Sequence, residues 1–400
     1  MNTKFLITTV FLILICPFLS IPVLFYGVYH HRRHSMFLLA FVAGLFAFML
    51  APVGDLYRHT MMYYMFDGMS FATFSSTLDD DFIMQSAAYY MANSGIPYPF
   101  LRLVYVTLSY LMVFKMYKDT SQECAGAISK RQQFVKFLLV FSSVDLIGVA
   151  SGVRWGFASM TFVYAFFQWN KHNRLYAICL FALSIATHYT LLYYLVVIVL
   201  MALVPLKNKK LLLFIALIAL LLSEFLISKM VGYFEANDLE GSVYLGDGEW
   251  ARGFNVAIMG MILYYFRKYL CFPVFYLQNV CCQKRDYFYR VTYVVFLVVL
   301  ISLPLSNIVG RTGVMYRIMV AILLAGCSWQ HIRPHIKCYR FVVACYLISF
   351  LSTFYSARAQ LELSRMEDMF KPLPVILIGH DYSLNWLYQN VNSDGSSKRW

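Results

Sequence analysis

In a chain of 400 residues that is 60% hydrophobic and only 13% charged, there is too little polar surface to keep a globular domain in water. The formal net charge of +13 could suggest nucleic acid, but the cations gather in short segments between apolar blocks. That distribution reads as membrane topology and argues against a nucleic-acid partner.

Taken in chain order, the apolar blocks predict an all-α polytopic membrane protein. About twelve spanning helices are expected, because lipid offers no partner for backbone amides. They fall near residues 5–28, 35–53, 99–117, 133–150, 153–169, 174–188, 189–206, 211–228, 254–270, 291–309, 313–330 and 340–357. The first block is long enough to span and is followed by no small-residue cleavage site, so it is read as a helix rather than a signal peptide. Residues 1–357 form one membrane domain with external loops at 54–99 and 229–253, and residues 358–400 form an external tail. Within the first loop, Asp79-Asp80-Asp81 precedes an apolar-periodic stretch, Phe82–Met91, predicted as a helix on the membrane surface. The tail is expected to end in a mobile polar stretch, Asn392–Trp400. No internal repeat stands out, which gives an inverted-repeat transporter no support.

Loop charge sets the orientation. The segments His30–Ser35, Lys115–Lys136, Asn170–Arg174, Lys207–Lys210, Arg267–Arg290 and His331–Arg340 carry 20 Lys and Arg against three acids. The opposite side and its helix ends share 13 basic residues with 17 acids. The positive-inside rule puts the first set in the cytoplasm and both termini outside. None of the nine cysteines falls in an external loop, where an oxidising compartment could mispair them.

With that topology, several ionisable groups collect at the outer helix ends, where a charge is costly unless it is paired or lines a wet cavity. Asp55 and Arg58 follow the second helix. Arg154 lies among Gly148, Gly152 and Gly156, His188 ends the sixth helix between Thr187 and Tyr189, and Arg311 and Arg317 flank the start of the eleventh. Each has a plainer reading. Arg154 could snorkel to the headgroups or pair with Asp145 in its own hairpin. Arg311 and Arg317 are six apart and converge only if Gly310–Gly313 is a turn. Asp55 could cap its loop or pair with Arg58. A lone histidine at a helix end, such as His188, is more often structural than catalytic. The acidic run at 79–81 and the Gly379-His380-Asp381 stretch are weak metal signals, so no metal is expected. No nucleotide-binding loop, dinucleotide glycine pattern, zinc spacing or serine-nucleophile motif occurs, and no cofactor is expected.

Several arginines with a histidine, a carboxylate and no nucleotide pocket suit a substrate that brings its own activated phosphate. Guanidinium forks match phosphate oxygens and would stabilise charge on a departing diphosphate, while Asp55 or His188 takes a sugar hydroxyl proton.

At these residues the chain resembles the EpsG family of membrane polysaccharide polymerases, related to Wzy O-antigen polymerases. The similarity runs through Asp55-Leu56-Tyr57-Arg58, then Arg154 before an apolar helix, His188 at the end of the next, and Arg311…Tyr316-Arg317, over most of residues 40–330. The chain departs from the family pattern in having His59, rather than an aromatic residue, after Arg58. The resemblance implies a polymerase in the bacterial inner membrane, acting on the periplasmic face in lipopolysaccharide or other polysaccharide biosynthesis. It would transfer a glycan from undecaprenyl diphosphate onto a new lipid-linked repeat unit. Asp55 and His188 would be catalytic, and Arg58, Arg154, Arg311 and Arg317 would bind substrate. The bilayer, undecaprenyl-diphosphate-linked oligosaccharides and a chain-length regulator protein are the partners that this reading admits. An O-antigen ligase, or a flippase of lipid-linked sugars, are the alternatives.

Overall fold

The computed structural model describes residues 2–32, 34–78, 81–123, 129–203, 286–301, 306–379 and 382–398. The expected helices at 211–228 and 254–270 and the loop at 229–253 lie outside the described residues, as do Asp79, Asp80, His380 and Asp381. The fold is all-α. Among the described residues the β-type pairing is limited to an isolated bridge between Val391 and Ser397.

The first expected helix is two helices, α1 (Asn2–Ile15) and α2 (Pro17–Tyr29). Cys16 is extended, because a residue before proline is pushed out of the helical region, and Pro17 then opens the next helix. The next helix, α3 (Ser35–Met49), packs along α7 (Pro99–Glu123), and Gly44 permits the close approach. A Cβ there would lie 2.1 Å from Thr107 Oγ1 and 2.6 Å from the Leu103 carbonyl oxygen. The helix α3 stops short of residue 53 because Pro52 forces the preceding chain into extended form.

The segment between them is helical. It comprises α4 (Asp55–Phe66), α5 (Phe71–Ser76) and α6 (Phe82–Asn93), the last where apolar periodicity predicts it. A small aromatic core of Tyr63, Phe66, Phe74 and Tyr89 joins the three, with the Phe74 and Tyr89 rings stacked at 4.2 Å.

The expected helix at 133–150 is also divided, into α8 (Lys130–Ser143) and α9 (Leu146–Ser151). Asp145 breaks it by capping α9, its side chain accepting from Gly148 N–H at 3.0 Å. Next comes α10 (Val153–Asn170), buried on all sides from Gly156 to Gln168 and so the centre of the bundle. It packs against α7, α9 and α11 (Arg174–Thr187). After α12 (Leu191–Leu203) the described chain resumes with α13 (Asp286–Ile301) and α14 (Ser306–Ala325), followed by short α15 (Trp329–Ile332) and long α16 (Ile336–Ser356). Gly310 and Gly313 lie inside α14, so the turn considered between Arg311 and Arg317 does not form.

The last stretch holds α17 (Arg358–Leu363), a 3-10 turn at Met366–Phe370, α18 (Leu373–Gly379) and α19 (Leu384–Asn390). The end of the chain, expected to be mobile, folds back. Asn392 N–H donates to Ser396 O, and Gly54 N–H donates to Gly395 O at 2.8 Å. Both glycines have φ in the left-handed region (+65° and +87°), and a Cβ on Gly395 would lie 2.9 Å from the Gly54 carbonyl oxygen. The tail therefore buttresses the turn that leads into α4.

Among the described residues, two helices are long and apolar enough to cross a membrane, Pro99–Gln122 and Tyr339–Ser356. Five more are apolar but only 10–17 residues long: Thr3–Ile15, Pro17–Tyr29, Ser35–Met49, Arg174–Thr187 and Tyr287–Val299.

Candidate functional site

Two short-range decisions of the chain place the central pair. Gly152 separates α9 from α10, so Arg154 and Trp155 occupy the first turn of the buried helix α10. At the far end of α11 the backbone leaves the helix at His188 (φ −153°), while Ser184 Oγ donates to Ala158 O at 2.8 Å and fixes α11 to α10. His188 thereby returns to the level of Arg154, and its ring meets Trp155 edge-on at 5.3 Å.

Between them stands Asp81, the residue before α6. Its carboxylate forms an ion pair with the Arg154 guanidinium and accepts from His188 Nδ1 at 3.2 Å and from Tyr189 N–H at 3.2 Å. Because an ionised carboxylate only accepts, Nδ1 of His188 carries the proton in this arrangement. The Asp81 and His188 side chains are 7% and 8% exposed, so the contact is essentially closed to solvent. Arg154 thus pairs with Asp81 across the fold, and Asp145, the hairpin partner that one of its plainer readings offered, caps α9.

Asp55 sits at the first position of α4, where an acid complements the helix dipole. One turn on, His59 Nε2 lies 3.3 Å from Asp55 Oδ2; His59 is buried and Asp55 is half-exposed. Arg311 reaches the same neighbourhood from the second turn of α14, its guanidinium 5.4 Å from the centre of the Trp155 ring.

Burial opposes the charge on Asp55, but the His59 hydrogen bond, with the fields of His59, Arg154 and Arg311, outweighs it and holds the carboxyl at about 2. Burial opposes the Asp81 charge too, and is outweighed by His188, then Arg154 and the Tyr189 amide, leaving that carboxyl below its ordinary range. A depressed native pKa supplies stability above the unfolded carboxylate value, roughly 4, that is lost as pH falls through the native one. The docking of α4 and α6 should therefore be unchanged from pH 7 to pH 5 and loosen below about pH 4. Near-UV circular dichroism checks this, and loss of aromatic packing already at pH 6 would contradict it.

The site also has more donors than acceptors. Tyr98 Oη, Arg154 Nε, Trp155 Nε1 and Thr190 Oγ1 are buried with no hydrogen-bond partner among the described residues. Tyr98 and Arg154 line, with His59 and Gln85, a cavity with room for about one water molecule. Each unmet buried donor costs about 1–3 kcal/mol, so such a concentration marks a place suited to an oxygen-rich ligand.

The other two expected residues lie elsewhere. Arg58 is on the exposed side of α4. Arg317, a turn and a half beyond Arg311, is 1% exposed. Its Nη2 donates to Ser142 O at 3.0 Å and its guanidinium lies 5.6 Å from the Tyr346 ring centre, so it ties α14 to α8 and α16. The structure thus brings together Asp55, Arg154, His188 and Arg311, and adds Asp81, His59, Tyr98, Trp155 and Thr190. Among the described residues no group of His, Cys, Asp and Glu could hold a metal ion.

No family model, curated protein or solved structure matches this chain.

Proposed function

We propose that the protein is a polytopic membrane glycosyltransferase that polymerises polysaccharide from a lipid-diphosphate-linked donor. About twelve spans cross the bacterial inner membrane, and the site faces the periplasm. The observation that carries the reading is the buried, donor-rich cluster around Arg154, with Arg311 and an Asp55–His59 pair beside it.

Several features support a bilayer setting. Large apolar side chains point outward from α1 (Ile7, Phe11), α11 (Leu175, Ile178), α12 (Tyr193, Val196) and α16 (Phe341, Leu351), faces that water would penalise. An apolar cavity of about 550 Å³, lined by Phe25, Val42, Phe46, Phe141 and Phe354, offers contact for a lipid chain. Leu146 also lines it, and α9 runs from there directly to Arg154.

In the reaction, a hydroxyl oxygen of the acceptor repeat unit bonds to the anomeric carbon of the donor glycan. The carbon–oxygen bond to the lipid diphosphate breaks, and the hydroxyl proton passes to a base. Arg154 and Arg311 stabilise the negative charge that develops on the leaving diphosphate. Asp55, held at about 2, is a weak acceptor by itself, and the proton passes to the Asp55–His59 pair, whose two groups lie 3.3 Å apart. His188, already donating to a carboxylate, serves as a donor to the anion rather than as the base.

The test is elongation. The purified protein, given a synthetic lipid-diphosphate-linked repeat unit in nanodiscs, should produce a ladder of multiples and release lipid diphosphate in equal number to the bonds formed. A single transfer onto lipid A core, with no ladder, would instead indicate a ligase. Movement of the substrate between leaflets without bond formation would indicate a flippase.

A further inference from the structure

Asp81 occupies the position that an anion would take. The donors that converge on it are a guanidinium at the start of α10, an imidazole N–H and a main-chain amide just past α11. We propose that this is a phosphoryl-binding seat held shut by an internal carboxylate, and that a phosphoryl group binds by displacing Asp81 from Arg154, His188 and Tyr189. The proposal rests on the diphosphate-donor reading above, but it makes a claim about binding that needs no glycan transfer.

Stoichiometry of donors argues for an incoming group with more oxygens than a carboxylate has. With Asp81 in place, Arg154 Nε, Trp155 Nε1, Tyr98 Oη and Thr190 Oγ1 remain without acceptors. A diphosphate carries more oxygens than the carboxylate it replaces, and guanidinium, imidazole and amide N–H groups suit it equally. Charge argues the same way. The charged groups facing the seat are Arg154 and Arg311, with Asp81 and Asp55 opposite, and the titratable neighbours are His188 and His59. With Asp81 seated, two cations face two anions. With Asp81 withdrawn, the seat carries excess positive charge, as a diphosphate requires.

The carboxylate is also placed where it can leave. Asp81 precedes α6, from which two side chains bond back into the segment before it: Tyr89 Oη donates to Met69 O and Asn93 Nδ2 to Phe66 O. Asp81 reaches across to α10 and the α11–α12 corner. Its release frees the start of α6 beside the cavity that Tyr98, His59 and Arg154 line.

The test measures binding of inorganic diphosphate and of farnesyl diphosphate to the full-length protein in phosphatidylcholine nanodiscs, by calorimetry. If the seat is closed in about nine molecules in ten, the apparent Kd of the wild type exceeds that of Asp81→Asn by about tenfold. A gain of that size for both ligands supports the proposal with the phosphoryl group alone sufficient. A gain for farnesyl diphosphate only supports it with a lipid-borne phosphate as the source. No gain for either ligand overturns it. Hydrogen exchange on the unmutated protein gives a second reading that is independent of any folding defect. Saturating diphosphate should speed exchange of the α6 amides near Phe82, and unchanged or slower exchange would overturn the displacement. A variant that binds more tightly in a protein that forms no polymer would sink the polymerase reading and leave the seat intact.

Discussion

Replacing Arg154 by alanine is expected to abolish long-chain polysaccharide while leaving the single-repeat product. Elongation by the purified protein should fall by at least about 100-fold, the scale seen when one preorganised donor to a developing anion is lost. Two effects act in the same direction. In the proposed reaction the leaving diphosphate would lose its guanidinium, and Asp81 would be left buried without its cation, drawn toward His188 and the Tyr189 amide. Arg154→Lys separates them. It keeps a charge for Asp81 but not the planar fork, so folding should be preserved while most elongation is still lost. Gel ladders of surface polysaccharide, normalised to the amount of folded protein, are the measurement. Normal ladders from a well-expressed Arg154→Ala protein would remove Arg154 from the chemistry.

How much of this was legible in the sequence depended on whether the cause was local. The stretches that became α3, α7, α10, α11 and α16 are predominantly apolar over more than three turns each, and that length and composition predicted helices there. Breaks were harder to see. Cys16–Pro17 looks like a proline tolerated within a long helix, and Pro22 shows that α2 does tolerate one. Asp145 breaks the 133–150 run because its side chain competes for the Gly148 amide, an outcome that the apolar pattern around it conceals. The reverse error occurred at Gly310–Gly313, where two glycines suggested a turn and the chain remains helical within α14.

The site divided along the same line. Arg154, His188, Arg311 and Asp55 stood out because each is an ionisable group beside an apolar run, where its cost demands a reason. Asp81 did not, because it is the last of three aspartates in a loop and such runs are usually solvated. Its contact is with His188, 107 residues later, and nothing local encodes that. Arg317 shows the limit of the charge argument. It met the same criterion as Arg154, yet its described polar contact is with a main-chain carbonyl, Ser142 O, whereas that of Arg154 is with a carboxylate. On the proposed reading, the kind of partner rather than burial would separate a structural arginine from a ligand-facing one.

Arg102 allows that distinction to be tested. It lies in the first turn of α7, is 1% exposed, and donates through Nη1 to Leu50 O at 2.6 Å and through Nη2 to Phe48 O at 3.1 Å. These carbonyls belong to the end of α3, where the helix leaves its last acceptors unmet. The neighbouring groups are held as well: Met49 O by Tyr382 Oη at 2.7 Å, Ala51 O by Gln360 Nε2 at 2.8 Å, and Ala51 N–H by Ser364 Oγ at 2.7 Å. The corner that delivers Asp55 is therefore clamped by α7 on one side and by the chain's last segment on the other. Arg102→Met keeps the apolar stem but removes both charged hydrogen bonds, and should cost about 2–3 kcal/mol of stability, since relief of a buried charge offsets part of the loss. Unfolding by sodium dodecyl sulfate in mixed micelles measures that cost. Because Arg102 faces carbonyls rather than the seat, diphosphate affinity should stay within about twofold of wild type, a difference under about 0.5 kcal/mol. A large loss of affinity in a protein of undiminished stability would place Arg102 among the ligand-facing arginines and make the type of partner an unsafe guide in this bundle.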